Sequence, residues 1–262
     1  MKYLPLLNER LFDAVKKEKI KNVLFLLNIG ADIEAKDKFG KNVLMYAKSS
    51  DMVEFLVGRG AIVEARDYNG KRALMYAKNK EVAKALIKNG ADVNARDDTK
   101  RTALMYAKNK EVAEVLVKNG AEIKDRDIGD LDVLMLNNNA EVVRFLVDCG
   151  LKADYVNIYG QTPLMFATDI DKVDVLLKKG ADINKCDVRG NSVLLNVVKR
   201  GGNSEVVRFL VENGADVDLK NKEGKKALDY AGDEDVKKVL KKYMKEEINV
   251  LLSSSKKELW RW

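Results

Sequence analysis

No histidine occurs anywhere in the 262 residues, so the commonest general base near neutral pH and the commonest nitrogen ligand for a metal are missing. Cysteine is nearly missing too. Cys149 and Cys186 are too few for a disulfide framework and stand at no zinc-ligand spacing, so both read as buried or idle free thiols of a reducing compartment. No run of 18 or more apolar residues is available to span a membrane, and the opening MKYLPLLNER has neither the long apolar core nor the small-residue cleavage site of a signal peptide. No phosphate-cradling GxxxxGKS/T loop is present, and no serine or cysteine stands in a nucleophile–base grouping. These absences lead us to expect a cytoplasmic protein with no catalytic residues, no metal site and no cofactor.

What is abundant is charge, at 34% of residues with a formal net of +7. The excess is local: +4 over residues 71–100, −2 over 131–160 and +3 over 221–262. Such a distribution suits patch electrostatics better than a uniform sleeve for a polyanion.

The charge is threaded through a repeated sentence. ALMYAKNKEVAKALIKNG, from Ala73 to Gly90, returns thirty residues later as ALMYAKNKEVAEVLVKNG. Weaker copies begin at Val43, Val133 and Pro163. Self-similarity at a fixed period of this size marks a stack of units, each burying its apolar face against its neighbours. Every unit opens with a four-residue turn such as DKFG (Asp37 to Gly40), DYNG (Asp67 to Gly70), NIYG (Asn157 to Gly160), DVRG (Asp187 to Gly190) or NKEG (Asn221 to Gly224). Asp or Asn first and Gly fourth are what a type I turn favours. DDTK at Asp97 and DIGD at Asp127 lack the fourth-position glycine, which puts their tip geometry in question.

A helix cap is expected next, at Asn42, Thr102, Asp132, Thr162 or Ser192. A first helix of six or seven residues should follow, then a second with core positions such as Val82, Leu86 and Ile87, or Val112, Leu116 and Val117. The second helices end at Gly30, Gly60, Gly90, Gly120, Gly150, Gly180 and Gly214, which suit left-handed C-caps. Extended pieces such as ADVNAR and ADINKC then lead to the next turn. Upstream, Leu11, Val15, Ile20, Val23, Leu24 and Leu27 predict two amphipathic helices joined near Lys16 to Lys19.

This order of turn, helix pair and Gly-Ala-Asp junction resembles the ankyrin repeat. TPLMFA at Thr162 to Ala167 is similar to the family's Thr-Pro-Leu-His-x-Ala, and GADVNA at Gly90 to Ala95 to its junction. The resemblance implies an all-α fold with short β-hairpin connections, an ankyrin-repeat α-solenoid over residues 5–244. It divides as an N-terminal cap repeat at 5–36, repeats at 37–66, 67–96, 97–126, 127–156, 157–186 and 187–220, and a C-terminal cap repeat at 221–244, with a tail at 245–262. Five units run 30 residues against a usual period of about 33, because KNKE replaces a longer turn between the helices. Only the unit from Asp187 keeps a long turn, KRGGNS at Lys199 to Ser204. Met45, Met75, Met105, Met135 and Met165 stand where the family has histidine, and read as inter-repeat core. Tyr46, Tyr76, Tyr106, Phe166 and Tyr230 form a parallel ladder.

What the resemblance implies for function is a monomeric scaffold that holds a protein partner on its hairpin tips and inner-helix face. Carried over position by position, the tips present Phe39, Lys41, Tyr68, Lys71, Arg101, Ile128, Leu131, Ile158, Tyr159 and Arg189 as partner-binding residues. Large apolar groups at exposed tips are either interface anchors or groups packed on neighbouring hairpins. A second reading takes Lys48, Lys71, Lys78, Lys80, Arg101, Lys108 and Lys110 as a basic groove for nucleic acid or another anionic surface. Glu81, Asp98 and Glu111 dilute that stripe, and no aromatic stacking platform accompanies it. The tail, with Trp260 and Trp262 in LWRW, has three readings: a flap over the last repeat, a linear motif, or a disordered end.

Overall fold

Two helices lead the chain, α1 (Leu4–Lys16) and α2 (Ile20–Asn28), broken at Glu18, whose φ is 55°. The computed structural model describes residues 4–244. Leu11, Val15, Val23 and Leu26 are buried, whereas Leu24 and Leu27 are only half-buried. The left-handed residue between the helices resets the phase of the apolar stripe.

Six nine-residue outer helices follow: α3 (Ser50–Gly58), α4 (Lys80–Lys88), α6 (Lys110–Lys118), α8 (Ala140–Asp148), α9 (Ile170–Lys178) and α11 (Ser204–Glu212). Each starts where Ser49, Asn79, Asn109, Asn139, Asp169 or Asn203 accepts a bond from the amide three residues on, satisfying a donor that a helix start leaves open. Asn79 and Asn109 also tie units together, their side-chain amides donating to the Lys48 and Lys78 carbonyls at 2.9 and 2.8 Å.

The inner elements are shorter than expected. Val43–Tyr46, Ala73–Tyr76 and Pro163–Phe166 are single 3₁₀ turns, and α5 (Ala103–Tyr106), α7 (Val133–Leu136) and α12 (Ala227–Tyr230) hold four residues each. Only α10 (Val193–Lys199) reaches seven. After Tyr76 the chain must turn extended at Ala77, ψ 122°, to reach the Asn79 cap in time, so the clipped connection limits the inner helix to one turn. Asn42 and Ser192 cap these elements as expected. Thr102 and Thr162 do not, because the Met105 and Met165 amides already bond the threonines' own carbonyls, and the two hydroxyls stay buried without a partner.

The extended junctions are not strands. Among the described residues the one β-contact is an isolated bridge between Cys186 and Ser192. In the junction at Ala91, the Asp92 carboxylate takes the Asn94 amide at 2.9 Å, an Asx turn that offers the backbone a local partner in place of a ladder. Both questioned tips keep the common geometry: Lys100 and Asp130 adopt φ of 62° and 58°, where the other turns have glycine.

The chain forms two compact units, divided between Val133 and Leu134. In the first, α1, Val43–Tyr46, Ala73–Tyr76 and α5 pack in sequence, and α3 packs on α4 and α4 on α6. In the second, Pro163–Phe166, α10 and α12 form the inner row and α8, α9 and α11 the outer one. The methionines at 45, 75, 105, 135 and 165 are buried, as are Leu56, Leu86, Leu116, Leu146 and Leu176. Ile87 and Val117 are half-buried, and Ala83 and Ala113 take the core positions beside Val82 and Val112 instead.

Lys172 is an unforeseen core residue. It is fully buried in the first turn of α9 at the place held by Val82 in α4, with Nζ 3.2 Å from Asn138 Oδ1. A buried ammonium is costly to desolvate.

Candidate functional site

The tips are built by the first residue of each turn. Asp37 is the pattern: Oδ1 accepts the amides of Phe39 and Lys41 at 2.8 and 3.0 Å, and its own amide bonds the Lys41 carbonyl at 3.0 Å. That clasp fixes the turn and leaves the two central side chains directed away from it. Adjacent tips are then chained by one backbone bond per junction. Tyr68 donates to the Phe39 carbonyl, Asp98 to Asn69 and Ile128 to Thr99 in the first unit; Val188 donates to Tyr159 and Lys222 to Arg189 in the second.

The second carboxylate oxygen takes the tyrosine nine residues on. Tyr46, Tyr76 and Tyr106 donate to Oδ2 of Asp37, Asp67 and Asp97 at 2.5, 2.5 and 2.6 Å. The tyrosine ladder is thus a set of braces between inner turn and tip. Where the tyrosine is absent the oxygen finds another donor. Leu136 stands in that place after Asp127, and Arg101 fills the gap with Nε and Nη2 both 2.9 Å from Asp127 Oδ2. Asn196 donates to Asp187 Oδ2 at 3.2 Å; in the last turn the tyrosine is kept but Asn221 replaces the aspartate, and its amide donates to the Tyr230 hydroxyl at 3.2 Å.

The braces shift both partners' acidities. Burial alone would raise the carboxyls of Asp37 and Asp97, but the tyrosine hydroxyls and turn amides outweigh it and hold both below the usual carboxylate value. Burial and the facing carboxylate push Tyr46 and Tyr106 up to about 12, and Tyr76 upward as well.

Of the candidate binding residues, Phe39 (53%), Tyr68 (69%), Ile128 (67%), Ile158 (72%) and Tyr159 (50%) are broadly exposed, and Arg189 is exposed as well. Leu131 is half-buried. Val188, the second residue of the DVRG turn, is exposed at 53%. The cations are more engaged. Lys41 lies over the Tyr76 ring at 4.0 Å, Lys71 over Tyr106 at 3.9 Å, and Arg101 is the partner of buried Asp127. These three members of the tip set, two of them shared with the basic stripe, are half-buried structural groups.

Beside the first tip, a cavity of about 760 Å³ opens between α1 and the turn, lined among others by Leu4, Pro5, Phe12, Phe39 and Tyr46. Cys149 and Cys186 stand outside any disulfide among the described residues and are exposed, not buried; Cys149 follows α8 and Cys186 lies in a junction. Among the described residues no group of three His, Cys, Asp or Glu side chains is placed to hold a metal, and no helix is long and apolar enough to cross a membrane. Trp260 and Trp262 lie outside the described residues.

A family model described as "Ankyrin repeats (3 copies)" matches residues 11–97, 78–127, 133–187 and 168–251. Among curated proteins, the chain is 42% identical over 78 residues to the Ankyrin repeat and SAM domain-containing protein 6 of Rattus norvegicus, covering 28% of this chain and 9% of that protein. It is 32% identical over 91 residues to the Transient receptor potential cation channel subfamily A member 1 homolog of Caenorhabditis elegans, covering 34% and 7%. It is 38% identical over 78 residues to Alpha-latroinsectotoxin-Lt1a of Latrodectus tredecimguttatus, covering 29% and 6%. The matched stretches thus make up less than a tenth of the length of each of these relatives.

Proposed function

Because this chain belongs to the ankyrin repeat family, we propose that it is a protein-interaction scaffold without catalytic activity, and that its partner docks on the turn tips and the inner-turn side of each unit. The observation that carries this reading is the set of large apolar side chains held half or more exposed on turns whose backbone is fixed by the Asp or Asn side chain at the first position. Phe39, Tyr68, Ile128, Ile158 and Tyr159 are rigid, amphipathic or apolar anchors presented at little entropic cost. They do not serve as core, since the methionine and leucine rows already fill it.

Nucleic acid is a weaker fit, because Lys41, Lys71 and Arg101 are committed to rings and to Asp127. The test is capture from native lysate on the immobilised chain, before and after nuclease. A discrete polypeptide retained after nuclease is the expected result. Nucleic acid retained alone, and lost between roughly 50 and 200 mM salt, would overturn the reading.

A further inference from the structure

The long inner helix builds something that the four-residue inner turns have no room for. Arg189, Lys199 and Arg200 line one cavity of about 420 Å³ in the second unit, together with Tyr159, Val188 and Asp187. None of the three cations forms an ion pair among the described residues, and Lys199 lies 4.9 Å over the Tyr230 ring, a looser seat than the 4.0 and 3.9 Å of Lys41 and Lys71. The lone carboxylate cannot serve them, because it is already saturated. Asp187 Oδ1 accepts the Arg189 and Asn191 amides, each at 2.9 Å, and Oδ2 accepts from the Asn191 and Asn196 side chains at 3.0 and 3.2 Å.

Arg200 is set by the turn that follows α10. The Gly202 amide bonds back to the Val197 carbonyl at 2.9 Å, Gly201 has φ 78°, and a Cβ on Gly202 would meet Val197 Cγ1 at 2.4 Å. This tight return seats the guanidinium 4.1 Å over the Phe166 ring. Arg200 also lines a second cavity, of about 330 Å³, with Phe166, Thr168 and Val197. A stacked guanidinium keeps its N–H edge for a planar, two-oxygen acceptor. Desolvation by burial lowers the Arg200 pKa.

We propose that this cavity seats an acidic side chain of a partner polypeptide, its carboxylate forked by Arg200 and flanked by Lys199 and Arg189, with an adjoining apolar residue against Tyr159 and Val188. This rests on the protein-interaction reading and narrows it to an acidic, apolar-flanked segment. Residues 187–220 hold five basic and five acidic side chains, so the positive charge is one focus on a neutral unit. That suits a discrete carboxylate better than the repeating phosphates of a nucleic acid, which need a track of cations.

The test pans a phage-displayed random octapeptide library on the full chain and measures the recovered peptides by fluorescence anisotropy, with a single-stranded thymidine 20-mer alongside. Recovered peptides should carry Asp or Glu next to an apolar residue. Arg200→Met should weaken them at least about tenfold, with Lys199→Gln as a second variant and an unchanged thermal midpoint as the folding control. Changing the peptide's Glu to Gln should cause the same loss on the unaltered chain and little more on Arg200→Met. Peptides without acidic residues, acidic peptides indifferent to both variants, no recovered peptide, or preference for the 20-mer would each overturn the site. Peptides indifferent to Arg200 would leave the scaffold reading standing, whereas failure of lysate capture strikes that reading itself.

Discussion

Asp97→Ala is expected to destabilise the first unit by about 3–5 kcal/mol, a loss large enough to move the urea midpoint well outside error. The side chain is nearly fully buried and takes four donors: the Thr99 amide at 2.8 Å, the Thr99 hydroxyl at 2.7 Å, the Arg101 amide at 3.0 Å and the Tyr106 hydroxyl at 2.6 Å. Truncation leaves those donors without an acceptor where water has little access, and bonds to a charged group are the expensive ones to lose. Asp97→Asn keeps one carbonyl oxygen for the turn amides, as Asn157 does for Tyr159 and Gln161, and should cost only about 1–2 kcal/mol. A loss below about 1 kcal/mol for Asp97→Ala would show that the turn does not depend on its carboxylate.

The same brace sets the pH limits. The Asp97 pKa is lowered in the folded chain, so its contribution is present above the ordinary value of 3.8 and fades as pH falls through the lower folded value. The Tyr106 pKa is raised from 10.0 to about 12, so its contribution is complete below pH 10 and fades as pH rises through about 12. Asp97→Asn should flatten the acid limb of the stability profile, and Tyr106→Phe the alkaline limb.

Gly160→Ala and Gly224→Ala form a matched pair with very different expected costs. Both glycines hold the fourth turn position with nearly equal φ, 73° and 74°. Left-handed backbone costs a side chain about 1–2 kcal/mol, partly offset by the freedom glycine loses on folding, so Gly224→Ala, with nothing within 4 Å of the new Cβ, should lose about 1 kcal/mol. At Gly160 the Cβ would stand 2.7 Å from the Val188 amide nitrogen and 3.1 Å from two Asp187 backbone atoms. That amide is the donor chaining this tip to its neighbour. Backbone cannot swing aside as a side-chain end can, so Gly160→Ala should lose roughly 3 kcal/mol or more. Equal losses in a urea titration of the two variants would contradict the close approach of the tips.

Backbone demands were the most legible part of the fold. A left-handed turn or cap needs glycine, so Gly60, Gly90 and Gly160 leave their mark in the sequence, and the methionine and leucine rows announce the core by period. Tip exposure followed from the turn itself: once Asp37 and Gly40 are placed, Phe39 has nowhere else to point. Lys100 and Asp130 show the limit of that signal, since the clasp of Asp97 and Asp127 imposes the left-handed conformation without glycine.

What stayed hidden are relations between units. Arg101 reads as a surface cation until Leu136 is seen to leave Asp127 Oδ2 open and the arginine one unit earlier to fill it. Asn79 reads as part of a shortened loop, yet it caps α4 and binds the previous unit. The KRGGNS insertion was visible as extra length. Its consequence, a guanidinium laid on Phe166 beside Arg189 and Lys199, depends on a residue more than thirty positions away.

The most direct test of the scaffold account separates the tips' binding from their packing. Phe39, Tyr68, Ile128 and Ile158 are replaced together by serine, and one preparation is measured for thermal midpoint and for capture of the lysate polypeptide. The account predicts a midpoint within about 5 °C of the original, since exposed substitutions shift stability little, and capture reduced below about a tenth, as befits hot-spot anchors. A midpoint lowered far beyond that range, or capture undiminished at an unchanged midpoint, would contradict it.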